Sequence, residues 1–345
     1  MLRENTLSMA ATRLLLVLAP VLGPACVEDP DAPEPSWAVV AHDLPGALLA
    51  VWGSDSADVW AVGADALDGS GPTVLHFDGT AWSRRSTGQT TGNLWWVFGF
   101  EQGPVYFGGE GGVILRYEDD AFTLMPTPGT GTVYGIWGAS PDSVWAVGGD
   151  SEASGGFAWR LVGDAWELEP SLPTDLVADA AIWKVHGAGP DDAWLVGSNG
   201  VALRWDGDAL TPGSTGVGSS LFTVHHADGR YVAVGGSATG IIVEDAGQGW
   251  ESVTPEPPPP GLSGVTLGAD GFGVAVGAYG SVYTRSDAGG WAEEPLGFAI
   301  APSLHGSWID ETGGVWVVGG QIYSPPYDDG VLLHRGAAIP TDGLD

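Results

Sequence analysis

With 345 residues, 56 glycines, 17 tryptophans and 44% apolar residues, the chain is too apolar for a disordered protein and too glycine-rich for a helical one. Its formal charge of −32, with Lys184 as the one lysine, excludes nucleic acid and anionic membrane surfaces as natural partners. Such acidity serves solubility for a surface rich in glycine and apolar side chains, and also suits divalent cations or basic partners.

Leu14 to Leu22 is an apolar run preceded by Arg13, and Met9 could begin a compact charged lead-in to it. The run falls short of the about 20 residues that span a bilayer but suits a signal-peptide core, so residues 1–25 are predicted to be removed. Cys26, the sole cysteine, has no disulfide partner and follows Gly23-Pro24-Ala25. The position resembles a bacterial lipoprotein box, although Gly23 stands where such boxes carry leucine. That resemblance implies lipidation of Cys26. Val27, where an aspartate would signal inner-membrane retention, implies an outer-membrane or cell-surface address. Cleavage by an ordinary signal peptidase, giving a secreted protein, is the alternative. Residues 26–36 read as the anchor cysteine and an acidic, proline-rich linker.

Beyond the linker one short pattern recurs. Val59–Gly63 reads V-W-A-V-G, and its slot returns as V-Y-F-G ending at Gly108, W-A-V-G at Gly148 and W-L-V-G at Gly197. It returns again as V-A-V-G at Gly235 and Gly277 and as W-V-V-G at Gly319. Short apolar runs repeated about every 40 residues between glycine-rich turns predict an all-β, seven-bladed β-propeller of four-stranded antiparallel blades over residues 37–336. In the first repeat, Leu48–Trp52 is the inner strand, Val59–Gly63 the second, Thr73–Phe77 the third, and Trp82 lies on the fourth. A second strand packed between neighbouring sheets is buried on both faces, so it is apolar throughout rather than alternating. Blades diverge outward, and Trp82, Phe122, Trp166, Leu210, Trp250 and Trp291 supply the outer bulk. The seventh repeat lacks its outer strand, and residues 337–345 form a tail without a bulky aromatic. Ser36-Trp37-Ala38-Val39-Val40 precedes the first repeat with Trp37 in the outer-aromatic slot, so the N-terminal strand Ser36–Val40 is predicted to complete the last blade and close the ring.

Val51–Gly63 and Ile136–Gly148 resemble a propeller repeat of bacterial exported proteins and lipoproteins, which implies fold and location rather than chemistry. Ser286-Asp287-Ala288-Gly289-Gly290-Trp291 resembles the Asp-box of sialidases and photosystem II stability-factor propellers, a structural turn. Gly-Gly after the second strand, with tryptophan on the fourth, resembles kelch repeats.

No catalytic set stands out. Arg116, Arg160 and Arg204 would be the arginine trio of a sialidase-like site, but they share a third-strand slot with His76 and His334, which points to a structural role. His186 and His225 share the inner-strand slot of Trp52, Phe98 and Trp137, which favours packing over metal binding. Calcium is the cation that the Asp-rich loops could take, although none has the spacing of a known calcium loop.

Loop length is the most informative asymmetry. Ala64–Pro72, Gly149–Gly156 and Gly320–Gly330 are insertions between second and third strands, on the face where propellers usually bind ligands. Tyr323, Tyr327, Asp328 and Asp329 are expected to meet Asp65 and Asp68 across one rim, with Asp150 on the insertion of blade three. Trp96 and Lys184 open inner strands two and four with parity opposite to Trp95 and Trp183, so one of these pairs is expected at the channel mouth. These features predict a monomeric scaffold that binds a protein or glycan at the cell envelope. A polysaccharide hydrolase or lyase, or an assembly factor for envelope complexes, is the alternative. A pocket with two carboxylates about 5–10 Å apart would favour the enzyme, and a broad face rimmed by tyrosines the binder.

Overall fold

The computed structural model describes residues 35–344, apart from 151, 287 and 288, together with Met1. The expectations for the signal peptide and Cys26 lie outside the described residues, as do two positions of the Asp-box-like turn. The fold is a seven-bladed β-propeller in which every blade is a four-stranded antiparallel sheet. Blade one comprises Leu48–Asp55, Asp58–Asp65, Pro72–Phe77 and Trp82–Arg84. Blades two to six repeat that order, and blade seven takes its outer strand, Ser36–Leu44, from the start of the domain. That strand runs antiparallel to Gly330–Gly336, with Trp37 opposite Arg335 and Val39 opposite Leu333. Closure thus comes from the segment that the incomplete seventh repeat calls for, extended four residues beyond Val40.

Seven hydrophobic clusters, one at each blade interface, form the core. The second strands supply most of it, as their unbroken apolar sequences require. Val105–Gly109, Ser143–Gly149 and Val315–Gly320 are buried at every position. Trp60 in blade one meets Phe107 and Tyr117 of blade two at ring-centroid distances of 5.4 and 4.8 Å. Each such aromatic buries about 150–250 Å², worth a few kcal/mol at about 25 cal/mol per Å². The outer aromatics Trp82, Trp166 and Trp291 are buried as well. The C-terminal tail is more than a trailing end. Trp82 donates its backbone N–H to the Asp342 carbonyl at 2.8 Å and its indole N–H to that of Pro340 at 3.1 Å.

The motif glycines are fixed by close approach. A Cβ on Gly63 or Gly148 would overlap the backbone carbonyl oxygen of the residue that leads into the inner strand, Ala47 or Thr132. In blade two the residue in this slot is Gly109, one beyond Gly108. Gly109 lies opposite Leu94 as Gly63 lies opposite Leu48, and its Cβ would meet the Asn93 carbonyl.

The recurring third-strand basic residues are structural. His76 stacks on Trp60 at 4.0 Å, and Arg160 and Arg204 lie over Trp145 and Trp194 at 4.4 and 5.5 Å. Arg116 pairs with Glu118 and Asp164. The rings of His186 and His225 lie 4.1 Å apart, and each Nδ1 accepts a backbone N–H from the following blade, from His226 and Leu267 respectively. Burial, with the neighbouring histidines, holds both imidazoles below their ordinary pKa, so they pack as neutral rings.

Candidate functional site

The inner strands share an irregularity that creates a cavity. In all seven blades the pairing of inner and second strands slips by one residue at the same place. The extra residues are Leu49, Trp95, Tyr134, Trp183, Phe222, Ser263 and His305. A bulge leaves one residue out of the ladder and re-aims its side chain. Here six of the seven, all but Leu49, line one cavity of about 300 Å³. Leu49 contributes its carbonyl, which accepts a hydrogen bond from His305 Nδ1 at 2.5 Å.

The walls form an aromatic arc. Trp95 meets Tyr327 at 5.7 Å, Tyr134 at 5.4 Å and His305 at 6.1 Å. Tyr134 meets Trp183 at 4.7 Å, and Trp183 meets Phe222 at 6.0 Å. Tilted and edge-on contacts of this kind hold rings in place without filling the space between them. The insertion of blade seven adds Tyr323 and Tyr327, and Ala47 of blade one donates its N–H to the Tyr327 carbonyl at 3.1 Å. Tyr323 is 65% exposed.

Lys184 also lines the cavity although it is only 6% exposed. Its Nζ donates to the Tyr134 carbonyl at 2.6 Å and lies 4.2 Å from the centre of the Trp96 ring. Gly135 lies between them in the ring of blades. A Cβ there would come within 3.1 Å of Lys184 Cα and 3.0 Å of the Trp183 carbonyl oxygen. Burial pulls the Lys184 pKa down to about 7. His305, also buried and facing the Lys184 charge, is pulled down to about 4 and is neutral.

Of the residues singled out in the sequence, the cavity therefore unites Lys184, Tyr323 and Tyr327. Trp96 stands behind it. Its indole N–H is bound to the Ile136 carbonyl at 2.8 Å, and its bulged neighbour Trp95 forms the wall. None of the acidic candidates lines the cavity. Asp65 accepts backbone N–H groups from Leu67 and Gly92, at 2.8 and 3.2 Å. Asp68 holds Ser70 and Arg84, and Asp150 holds the backbone N–H groups of Glu152 and Ser154. The backbone carbonyl of Asp328 takes the Gln321 N–H at 2.8 Å. Burial and the neighbouring charges of Asp43 and Asp328 raise the pKa of Asp329. Among the described residues no hydrogen bond or ion pair joins Asp65 and Asp68 to Asp328 and Asp329, and no three carboxylates, imidazoles or thiols converge as a metal site requires.

No protein-family model and no curated protein matches the chain. Among solved structures it is similar to YCF48 bound to D1 peptide, with a TM-score of 0.63 and 15% identity over 91% of this chain and 99% of that one. YCF48 from Cyanidioschyzon merolae gives a TM-score of 0.63 and 17% identity over 87% and 99% of the two chains. The GH74 xyloglucanase from Xanthomonas campestris gives a TM-score of 0.63 and 14% identity, over 86% of this chain and 55% of that one. Likeness at this level of identity carries the propeller fold and no activity. No helix among the described residues is long and apolar enough to cross a membrane.

Proposed function

We propose that this propeller is a binding module that holds an apolar group of a partner protein in its loop-face cavity. We propose further that it is exported and held at the outer membrane or cell surface by a lipid on Cys26. The observation that carries the reading is the shared bulge, which turns residues of six inner strands toward one cavity. No Asp, Glu, Asn or Gln lines it, so it lacks both the paired carboxylates of a glycosidase and the planar polar groups that grip sugar hydroxyls. An apolar lining with a few convergent polar groups suits an apolar ligand. A propeller of similar fold has been solved with a peptide bound, in line with a protein partner.

Ser263 offers the test, because other blades carry tryptophan at its bulge. Ser263→Trp should fill the cavity without disturbing the blade. The protein and this variant, with matched melting curves, are used to capture partners from cell envelopes. A partner held by the wild type and lost by the variant supports the reading, and identical captures overturn it. For the address, Cys26→Ser should abolish labelling with a fatty-acid analogue and release the protein from the membrane fraction. An unlabelled wild-type protein would exclude the anchor.

A further inference from the structure

We propose that the cavity accepts a ligand with a ring-sized apolar body and a carboxylate, and that Lys184 binds the carboxylate. This inference rests on the reading of the propeller as a cavity-binding module and names the ligand chemistry of that site.

Lys184 differs from every other fixed cation in the propeller. Each described arginine has a carboxylate within 3.9 Å. No carboxylate among the described residues pairs with Lys184, in a chain with 43 acids to 11 lysines and arginines. Counter-ions are plentiful, and the cavity is built without one. A buried ammonium without a counter-ion is costly and calls for an anion.

The donors point the same way. An ammonium has three N–H groups. One goes to the Tyr134 carbonyl and the ring of Trp96 covers a second direction, which leaves a donor for a ligand. The side chains of the lining offer this ammonium no carboxylate or amide acceptor. A carboxylate brings acceptors and one negative charge, matching one cation. The size of about 300 Å³ lies at the small end of ligand pockets and suits one ring or one side chain.

The groups facing Lys184 leave it as the titrating member of the site. His305 is neutral near pH 7, and burial raises the pKa of Tyr134 and Tyr327, which stay protonated. The acid felt by both tyrosines is Glu110, which accepts the Asn93 amide at 2.7 Å and does not line the cavity. Burial places the lysine pKa at about 7, so the free site loses its proton near neutrality.

The probes are phenylacetate and its neutral isostere phenylacetamide, titrated calorimetrically into the purified protein between pH 6 and 9. Phenylacetate should bind at least tenfold more tightly than the amide at pH 6. This preference should fall by up to tenfold per pH unit above about 7, while binding of the amide changes little. Added salt should not weaken the acid, because the pair is buried and the repulsion that salt screens comes from the acidic surface. Lys184→Met should bring the acid-to-amide ratio close to one. The wild-type pH series stands on its own if that variant does not fold. Equal, pH-independent binding of both probes, blocked by Ser263→Trp, would overturn the role of Lys184 and leave the cavity reading intact. Binding of neither probe at millimolar concentration would overturn the inference, and envelope capture would then decide the wider reading separately.

Discussion

The Lys184 ammonium lies 4.2 Å from the centre of the Trp96 ring, joining the inner strands of blades four and two across Gly135 of blade three. This arrangement has a thermodynamic signature. The unfolded lysine titrates near 10.5 and the folded one near 7, so between these values the unfolded chain binds more protons and stability rises with pH. Lys184→Met should therefore raise the melting temperature at pH 6–7, with a gain that shrinks toward pH 10. Melting curves across that range check it. A gain that stayed constant would show that burial of the charge is not its source.

Glu244 ties blades five and six together. Its Oε1 accepts from Arg285 Nε at 2.9 Å and from the Trp291 indole at 2.7 Å, and its Oε2 accepts from Arg230 at 2.9 Å. Removing one member of a buried pair typically costs about 3–5 kcal/mol, because the other charge is left without a partner. Glu244→Ala should lose about that much in denaturant unfolding, and Glu244→Gln less, since an amide can still accept one of these bonds. Equal losses would mean that the charge alone matters there and that a neutral acceptor of the same shape contributes nothing.

Acid should destabilise the ring through Asp310 and Asp58. Burial pushes the Asp310 carboxyl up, but the nearby His334, 4.0 Å away, and bonds from Thr312, Trp316 and the Gly314 N–H outweigh it and hold the pKa well below 3.8. For Asp58, burial is likewise outweighed, by His76 and Ser54. A lowered carboxyl pKa contributes stability that is present above the unfolded value and lost as pH falls through the folded one. Wild-type stability should drop below about pH 4, and Asp310→Asn should flatten that limb while lowering the plateau. Unfolding titrations from pH 2 to 7 test it.

Deleting residues up to Leu44 should open the ring. The deletion removes the outer strand of blade seven and the 2.7 Å bond from Trp37 to Glu294, and bares the edge of Gly330–Gly336. An unpaired apolar edge invites pairing with other chains. The truncated protein should aggregate or dimerise in sedimentation, and a peptide of residues 35–44 added in trans should restore the monomer. A monomeric truncation with an unchanged melting curve would exclude a closing role for the strand.

Much of this architecture is legible in the sequence because blade packing imposes composition. A strand sandwiched between sheets must be apolar at every position, and the missing outer aromatic of repeat seven has its counterpart at Trp37. In blade two Gly108 and Gly109 both fit the pattern, and only pairing with Leu94 decides between them. The bulges leave no compositional trace, since leucine, tryptophan, tyrosine, phenylalanine, serine and histidine all occupy the slot. Strand parity sets Trp95 and Trp183 apart from Trp96 and Lys184, yet Lys184 lines the cavity beside Trp183 while Trp96 does not. The acidic loop residues were not separable by sequence, because an aspartate that pins its own turn reads like one that awaits a ligand.

The repeated bulge also separates recognition from architecture in the history of such a chain. Six of the seven blades turn a bulged side chain toward the common cavity, and that side chain takes no part in the ladder that holds its blade. On the proposed reading, drift at these positions rewrites what is bound one letter at a time, while the apolar second strands keep the ring intact. Duplication of a blade would add a letter, and two propellers with the same skeleton can thus come to serve unrelated partners.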